Sequence, residues 1–315
     1  MIKQPAMGLS VKTQTTGREV INYSRSGLIC LFLFLKLRPM IKKQYFTIPG
    51  AKGRSMLMDL TFDEALKDAP ILIFAHGFKG FKDWGAHNLV AWYFAQNGLR
   101  FLKFNFSHNG TTTDHPTEFA DIIAFSDNTF SIELQDLETV IDFVCGGSAM
   151  PSVSAVYLIG HSMGGGISII KTAEDERITK LVTMASISGF RNLWPKEIEK
   201  QWRLQGIAYF LNKRTGQQLP LKVSALIDLD KYPARLDILA KASGITQPWL
   251  IINGDADTTV PLIHAEELKA ANPGAELCII QGADHTFGAS QPYVENTMPA
   301  LLLEFCRQAI FFLVN

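Results

Sequence analysis

From Pro70 onward the chain alternates short apolar runs with longer amphipathic stretches, and this rhythm leaves few architectures open. Runs that are short and apolar at nearly every position suit strands buried on both faces, and the stretches between them are long enough to be crossover helices. The pattern predicts a parallel sheet covered by helices on both sides. Candidate strands are ILIFAH (71–76), RFLKFNF (100–106), AVYLIG (155–160), KLVTMAS (180–186), WLIING (249–254) and ELCII (276–280). Candidate helices are HNLVAWYFAQNG (87–98), closed by Asn-Gly, and SIELQDLETVIDFV (131–144), which Ser131 is expected to cap. A last helix is expected within ENTMPALLLEFCRQAIFFLV, with Pro299 marking its first turn.

Two segments depart from the rhythm. Residues 187–243 show helical stretches and several aromatics but no strong strand, which predicts a helical insertion at the carboxyl edge of the sheet. Ahead of the first strand, GLICLFLFLKL (27–37) has the length of a signal-peptide core, yet no small-residue cleavage site follows it. It also falls short of the roughly 20 apolar residues of a spanning helix, so no membrane span is expected. Met40 opens MIKKQYFTIPG as a strand would begin, so residues 1–39 are expected to be poorly ordered or not native.

With 315 residues and 47% hydrophobic content the chain can bury a large core. Thirty basic residues balance thirty acidic ones, so no overall field favours nucleic acid or an anionic membrane, and a small molecule is the expected partner. The four cysteines, Cys30, Cys145, Cys278 and Cys306, lie far apart with no CxxC or Cys/His pairing. That spacing argues against a metal site or a disulfide framework and for reduced, mostly buried thiols in a cytoplasmic protein.

The chemistry gathers at predicted strand ends, where open parallel sheets bind their ligands. In YLIGHSMGGGISII (157–170), Gly160, Ser162 and Gly164 form G-x-S-x-G between a strand and a helix. The serine of such a corner sits on a strained turn, and glycines two positions away let strand and helix approach. The motif recurs by chance in about one chain in ten of this length, so its strand-and-helix context is what makes it informative. A serine nucleophile needs a base and an orienting acid, which in this arrangement follow it in the order acid, then histidine. INGDADTTVP (252–261) offers Asp257, with Asp255 as the fallback, and QGADHTF (281–287) offers His285.

Oxyanion donors are expected from the amides of Met163, directly after the serine, and Phe78, in FAHGFKGFKDWG (74–85). Lys79 and Lys82 in that loop read as solvated charge. Of the other histidines, His87, His115 and His264 read as surface residues and His161 as packing.

Taken together, HGF at His76, GHSMGG at His161, GDADTTVP around Asp257 and GADHTF around His285 resemble the α/β-hydrolase superfamily over about residues 45–314. Within it the chain looks like the esterase and serine-peptidase-like branch with cinnamoyl esterases and dienelactone-hydrolase-like proteins. The resemblance implies an α/β-hydrolase fold with a mostly parallel eight-stranded sheet and no metal or organic cofactor. Residues 40–186 and 244–315 would be its core and 187–243 a helical lid. The polar stretch 105–130 is longer than is usual in relatives.

The activity expected is hydrolysis of a small or medium-sized carboxylic ester through an acyl-enzyme, with Ser162 as nucleophile, His285 as base, Asp257 orienting it, and Phe78 and Met163 holding the oxyanion. The alternative is a serine peptidase or amidase on the same triad, and a third reading is a catalytically silent binding protein. The lid carries ten basic and five acidic side chains, an excess that reads first as solvated surface and second as a preference for negatively charged substrates.

Overall fold

The computed structural model describes residues 40–66, 68–147, 150 and 152–315. The expectations for residues 1–39 lie outside the described residues. Eight strands form one sheet: β1 (Ile41–Pro49), β2 (Ser55–Asp63), β3 (Ile71–Ala75), β4 (Arg100–Phe104), β5 (Val156–His161), β6 (Ile178–Met184), β9 (Trp249–Gly254) and β10 (Glu276–Ile280). Their order is β1-β2-β4-β3-β5-β6-β9-β10. β2 runs antiparallel to both its neighbours, and all later pairings are parallel.

The six strands expected from apolar runs are all present, with ends shifted by up to two residues. β3 shows why its run is unbroken. Ile71, Ile73 and Ala75 enter the core on one face, and Leu72 and Phe74 enter the core on the other. The first face is covered by α3 (Phe130–Cys145) and α4 (Met163–Glu174), the second by α1 (His87–Gln96) and α9 (Ala300–Val314). Each Leu, Ile or Phe buried this way contributes about 1.5–3 kcal/mol relative to exposure. α3 is capped by Thr129, whose hydroxyl accepts from the Ile132 amide at 3.3 Å, and not by Ser131. The Ser131 amide instead donates to Asp228 at 2.9 Å.

The chain moves outward from β3 to β4 in one direction and from β5 to β6 in the other. Loops leaving β3 and β5 therefore diverge and open a crevice at the carboxyl ends of the strands.

Residues 187–243 are not wholly helical. They hold a 3-10 turn, α5 (Ile198–Gln205), α6 (Ser224–Lys231), α7 (Ile238–Ala242) and an antiparallel hairpin of β7 (Ile207–Leu211) and β8 (Gln218–Lys222). Three of its aromatics are core: Phe190, Trp194 and Trp202 are buried, and Phe190 stacks on Phe130 of α3 at 4.0 Å, whereas Tyr209 is exposed. The polar stretch 105–130 contains α2 (Ile122–Ser126) and buries Asn105, Ser107, His108 and Asn109 beneath the crevice. No described helix is long and apolar enough to cross a membrane.

Candidate active site

Ser162 stands between β5 and α4 with φ 57° and ψ −119°, a conformation that L-residues hold only under constraint. The constraint is visible in its neighbours. A Cβ at Gly160 would collide with the Gly164 carbonyl, and one at Gly164 would meet the Ala75 and His76 carbonyls at the end of β3. Glycine is thus required for the helix to start against the adjacent strand. The Ser162 amide is tied to the Met184 carbonyl at 2.9 Å, which leaves the side chain at the mouth of the crevice.

The loop after β3 lies directly against this serine. A Cβ on Gly77 would come within 2.9 Å of Ser162 Cβ and 3.4 Å of its hydroxyl. The Gly80 amide donates to the Gly77 carbonyl at 3.0 Å, closing a tight turn that holds Lys79 at φ 58°. Phe78 rides inside this turn, and its ring packs against Phe125 and Phe210. Among the described residues neither the Phe78 amide nor the Met163 amide donates to another protein group, as expected for the first amides of a helix and the crown of a turn.

Behind the loop Lys82 is buried in an ion cluster, contrary to its reading as solvated charge. Its ammonium meets Asp59 at 2.5 Å and also Asp83, while Lys103 meets Asp59 at 2.8 Å and Asp83 as well. Burial alone would raise the Asp83 carboxyl, but Lys103 and Lys82 hold it down to about 2. The Lys82 amide donates to Asn105 at 2.6 Å, so backbone and side chain both anchor the loop. His76 is buried with its Nδ1 3.0 Å from the Gly77 carbonyl, and burial pulls its imidazole down to about 4.

His285 follows β10, and its Nδ1 lies 2.8 Å from Asp257 Oδ2. The other Asp257 oxygen accepts the Thr259 and Val260 amides, both at 2.8 Å, and its side chain has no exposed surface. Asp255 does not reach the imidazole. It accepts the Gly282 amide at 2.6 Å and ties together the two loops that carry Asp257 and His285. His161 is half-buried, and its Nε2 bonds the His285 carbonyl at 3.0 Å, so it positions that loop as well as packing. Burial, with the neighbouring His285, keeps it neutral.

Ser162 and His285 line one cavity of about 280 Å³ together with His76, Phe78, His87 and Asn212. His285 Nδ1 is bonded to Asp257 and no hydrogen bond joins the Ser162 hydroxyl to the imidazole, a bond that catalytic sites commonly tighten on binding substrate. Met163 lies behind the serine beside a smaller apolar recess with Phe130, Trp194 and Leu221. His87, read as a surface residue, is half-buried against the Phe74 ring at 4.6 Å. His264 is likewise drawn in, bonded to Ser188 at 2.8 Å, and His115 is exposed as expected. The sequence reading missed the contribution of the hairpin turn, Asn212, Lys213 and Arg214, because nothing local marks a turn that docks over a distant site. Among the described residues no cluster of three or more His, Cys, Asp or Glu could hold a metal ion.

The family described as the alpha/beta hydrolase family matches residues 72–295, a span that includes the β3 loop, the serine corner and both loops of the Asp-His pair. The chain belongs to the alpha/beta hydrolase family. No curated protein matches the sequence. Among solved structures it is similar to Est1E from Butyrivibrio proteoclasticus, at 17% identity and TM-score 0.61, covering 86% of this chain and 99% of that one. A protein from Agrobacterium vitis S4 is similar at 19% identity and TM-score 0.64, with 87% of this chain and 99% of that one covered. Dienelactone hydrolase from Anabaena variabilis is similar at 15% identity and TM-score 0.57, with 87% and 97% covered. These likenesses, all at low identity, are likenesses of fold.

Proposed function

We propose that this alpha/beta hydrolase is a serine esterase that cleaves a small or medium-sized carboxylic ester through an acyl-enzyme. The observation that carries the reading is that His285, bonded to Asp257 at 2.8 Å, faces the same cavity as a serine on a strained strand-to-helix corner. His285 Nε2 takes the Ser162 proton as Oγ bonds to the ester carbonyl carbon. The tetrahedral oxyanion is held by the Phe78 and Met163 amides, each such donor being worth about 10²–10³ in rate. Collapse breaks the bond to the alcohol oxygen, which leaves with the proton from His285. Water, deprotonated by the same imidazole, then attacks the acyl carbon, and the imidazolium gives that proton to Ser162 Oγ as the bond to the acid breaks. Asp257 holds Nδ1 protonated and aims Nε2 at the serine.

Two further observations support an ester over a peptide and a cytoplasmic setting. No acidic side chain is among the cavity's lining residues to take the free amine of an aminopeptidase substrate. Cys145, Cys278 and Cys306 are all free thiols, although only Cys306 of the three is buried, against the expectation of mostly buried thiols. Residues 187–243 serve as a lid through the hairpin turn that closes one side of the cavity. The test is Ser162→Ala assayed on p-nitrophenyl esters beside an aminoacyl anilide. Wild type should show a burst and turnover on the esters, and the variant neither, with an unchanged circular dichroism spectrum. Ester turnover that survives in the variant overturns the assignment.

A further inference from the structure

The cavity around Ser162 is lined by three cations and by no carboxylate. Lys79 comes from the loop after β3, and Lys213 and Arg214 from the turn between β7 and β8. Among the described residues none of the three forms an ion pair within 4.0 Å. The acid nearest in function, Asp257, is shut behind His285 with both oxygens occupied. His76 and His87, which also line the cavity, are held neutral chiefly by burial.

The rest of the lid's basic excess is disposed of elsewhere. Arg191 and Arg203 pair with Asp230, Lys222 with Asp127, and Arg235 and Lys241 with Glu174. Lys196, Lys200 and Lys231 form no ion pair among the described residues but are exposed and do not line the cavity, so the unpaired lid cations at the cavity lie on one turn, and that turn is ordered. The Asn212 amide donates to the Gln217 carbonyl and the Gly216 amide to the Asn212 carbonyl, both at 2.8 Å. Asn212 Oδ1 accepts the Arg214 amide at 3.2 Å. Asn212 itself lines the cavity, is 8% exposed, and has an amide nitrogen with no acceptor among the described residues. Lys79 donates to the Leu211 carbonyl at 3.2 Å and keeps two further protons to give. Burial, and then Lys213, depress its ammonium, so the two lysines stand close enough to repel. Like charges gathered beside an unmet donor are relieved by one kind of occupant.

We propose that the ester hydrolysed here carries an anionic group of carboxylate size, on its acyl or its alcohol part, held by Lys79, Lys213 and Arg214. The proposal rests on the ester-hydrolase reading above and narrows it to a substrate class. Arg214 supplies a planar fork that can grip both carboxylate oxygens, and the lysines supply point charge. The anionic end anchors the substrate beneath the hairpin while its ester carbonyl reaches Ser162.

Two matched ester pairs test this. On the acyl side, p-nitrophenyl hydrogen glutarate is compared with p-nitrophenyl valerate. On the alcohol side, p-carboxyphenyl acetate is compared with p-carbamoylphenyl acetate. In at least one pair the anionic member should show a kcat/KM about ten-fold or more above its neutral partner. That ratio should fall toward one in the double variant Lys213→Gln, Arg214→Gln, and shrink in high salt, because the rim of the site is partly open to water. Lys200→Gln, a lid cation that is exposed and away from the cavity, should keep the wild-type ratio. Turnover of the esters with neither pair favouring the anion overturns this inference and leaves the esterase reading standing. A preference that persists in the double variant also overturns it. If wild type turns over none of the four esters, the esterase reading fails and takes this inference with it.

Discussion

The two walls of the cavity are built in opposite ways. On the sheet side the groups nearest the serine are held in place: the serine is clamped by glycine contacts, Asp257 has both oxygens occupied, and Lys82 sits in an ion cluster behind the loop that carries Phe78. On the lid side Lys213 and Arg214 are exposed and unpaired among the described residues, on a turn held mainly by its own backbone. A wall that performs chemistry needs atoms fixed to within fractions of an ångström, and this demands burial and full compensation of charge. A wall that recognises a ligand must leave charge uncompensated until the ligand arrives. On the proposed reading, turnover belongs to the first wall and substrate choice to the second.

The largest effect should come from the sheet wall. Asp257→Asn keeps the size of the side chain but removes the charge that holds the His285 proton, so kcat on a good ester should fall by roughly 10⁴-fold. Steady-state kinetics on the folded variant checks this, and a loss below ten-fold would mean that Asp257 only supports the loop.

Next is the ion cluster that braces the same wall. Asp59→Asn leaves two buried ammonium groups to share Asp83, and should cost about 3–5 kcal/mol in denaturant unfolding. A smaller loss would show that the cluster is not what sets the loop.

One buried carboxylate escapes the compensation seen elsewhere on this side. Glu133 on α3 is raised to about 8, first by burial and then by Asp136, against the pull of its bond from Asn128. Its second oxygen has no partner among the described residues. The folded state therefore holds this proton more tightly than the unfolded chain. The stability it brings is complete below the ordinary glutamate pKa and drains away as pH rises toward 8. Glu133→Gln should remove that slope and gain on the order of 2 kcal/mol over wild type near pH 8, read from urea melts across the range. Parallel pH curves for the two proteins would contradict it. Two histidines act in the opposite window: His76 and His87, depressed to about 4 and about 3, withdraw stability as pH falls below the ordinary histidine pKa.

The smallest effect belongs to the lid wall. Lys213→Gln with Arg214→Gln should change stability by less than about 0.5 kcal/mol, because neither side chain is packed or paired. A larger loss would mean that the turn depends on these cations and the contrast between the walls is overdrawn.

What could be read from the sequence follows what is local in the physics. The central strands were legible because strands buried on both faces must be apolar at nearly every position. β2 was not, because SMLMDLTFD carries a charge, Asp59, that is buried only through lysines from elsewhere in the chain. The β7–β8 hairpin was hidden by its short, half-exposed strands and by Pro220. Ser131 looked like a cap by residue type, but Thr129, two residues earlier, is the one whose backbone is extended there.

At the site, the sequence alone determined the glycine-flanked serine corner, because the close approach of strand to helix is a demand on neighbouring residues. It also determined the order in which acid and histidine follow at strand ends. The sequence ranked Asp257 ahead of Asp255, but only the tertiary structure shows which group of the 281–287 loop each one touches, the His285 imidazole for Asp257 and the Gly282 amide for Asp255. Only it buried Lys82 while leaving Lys79 in the cavity, and only it carried Lys213 and Arg214 to the serine. Those outcomes depend on groups more than twenty residues apart meeting in space, and no local pattern of residues encodes such a meeting.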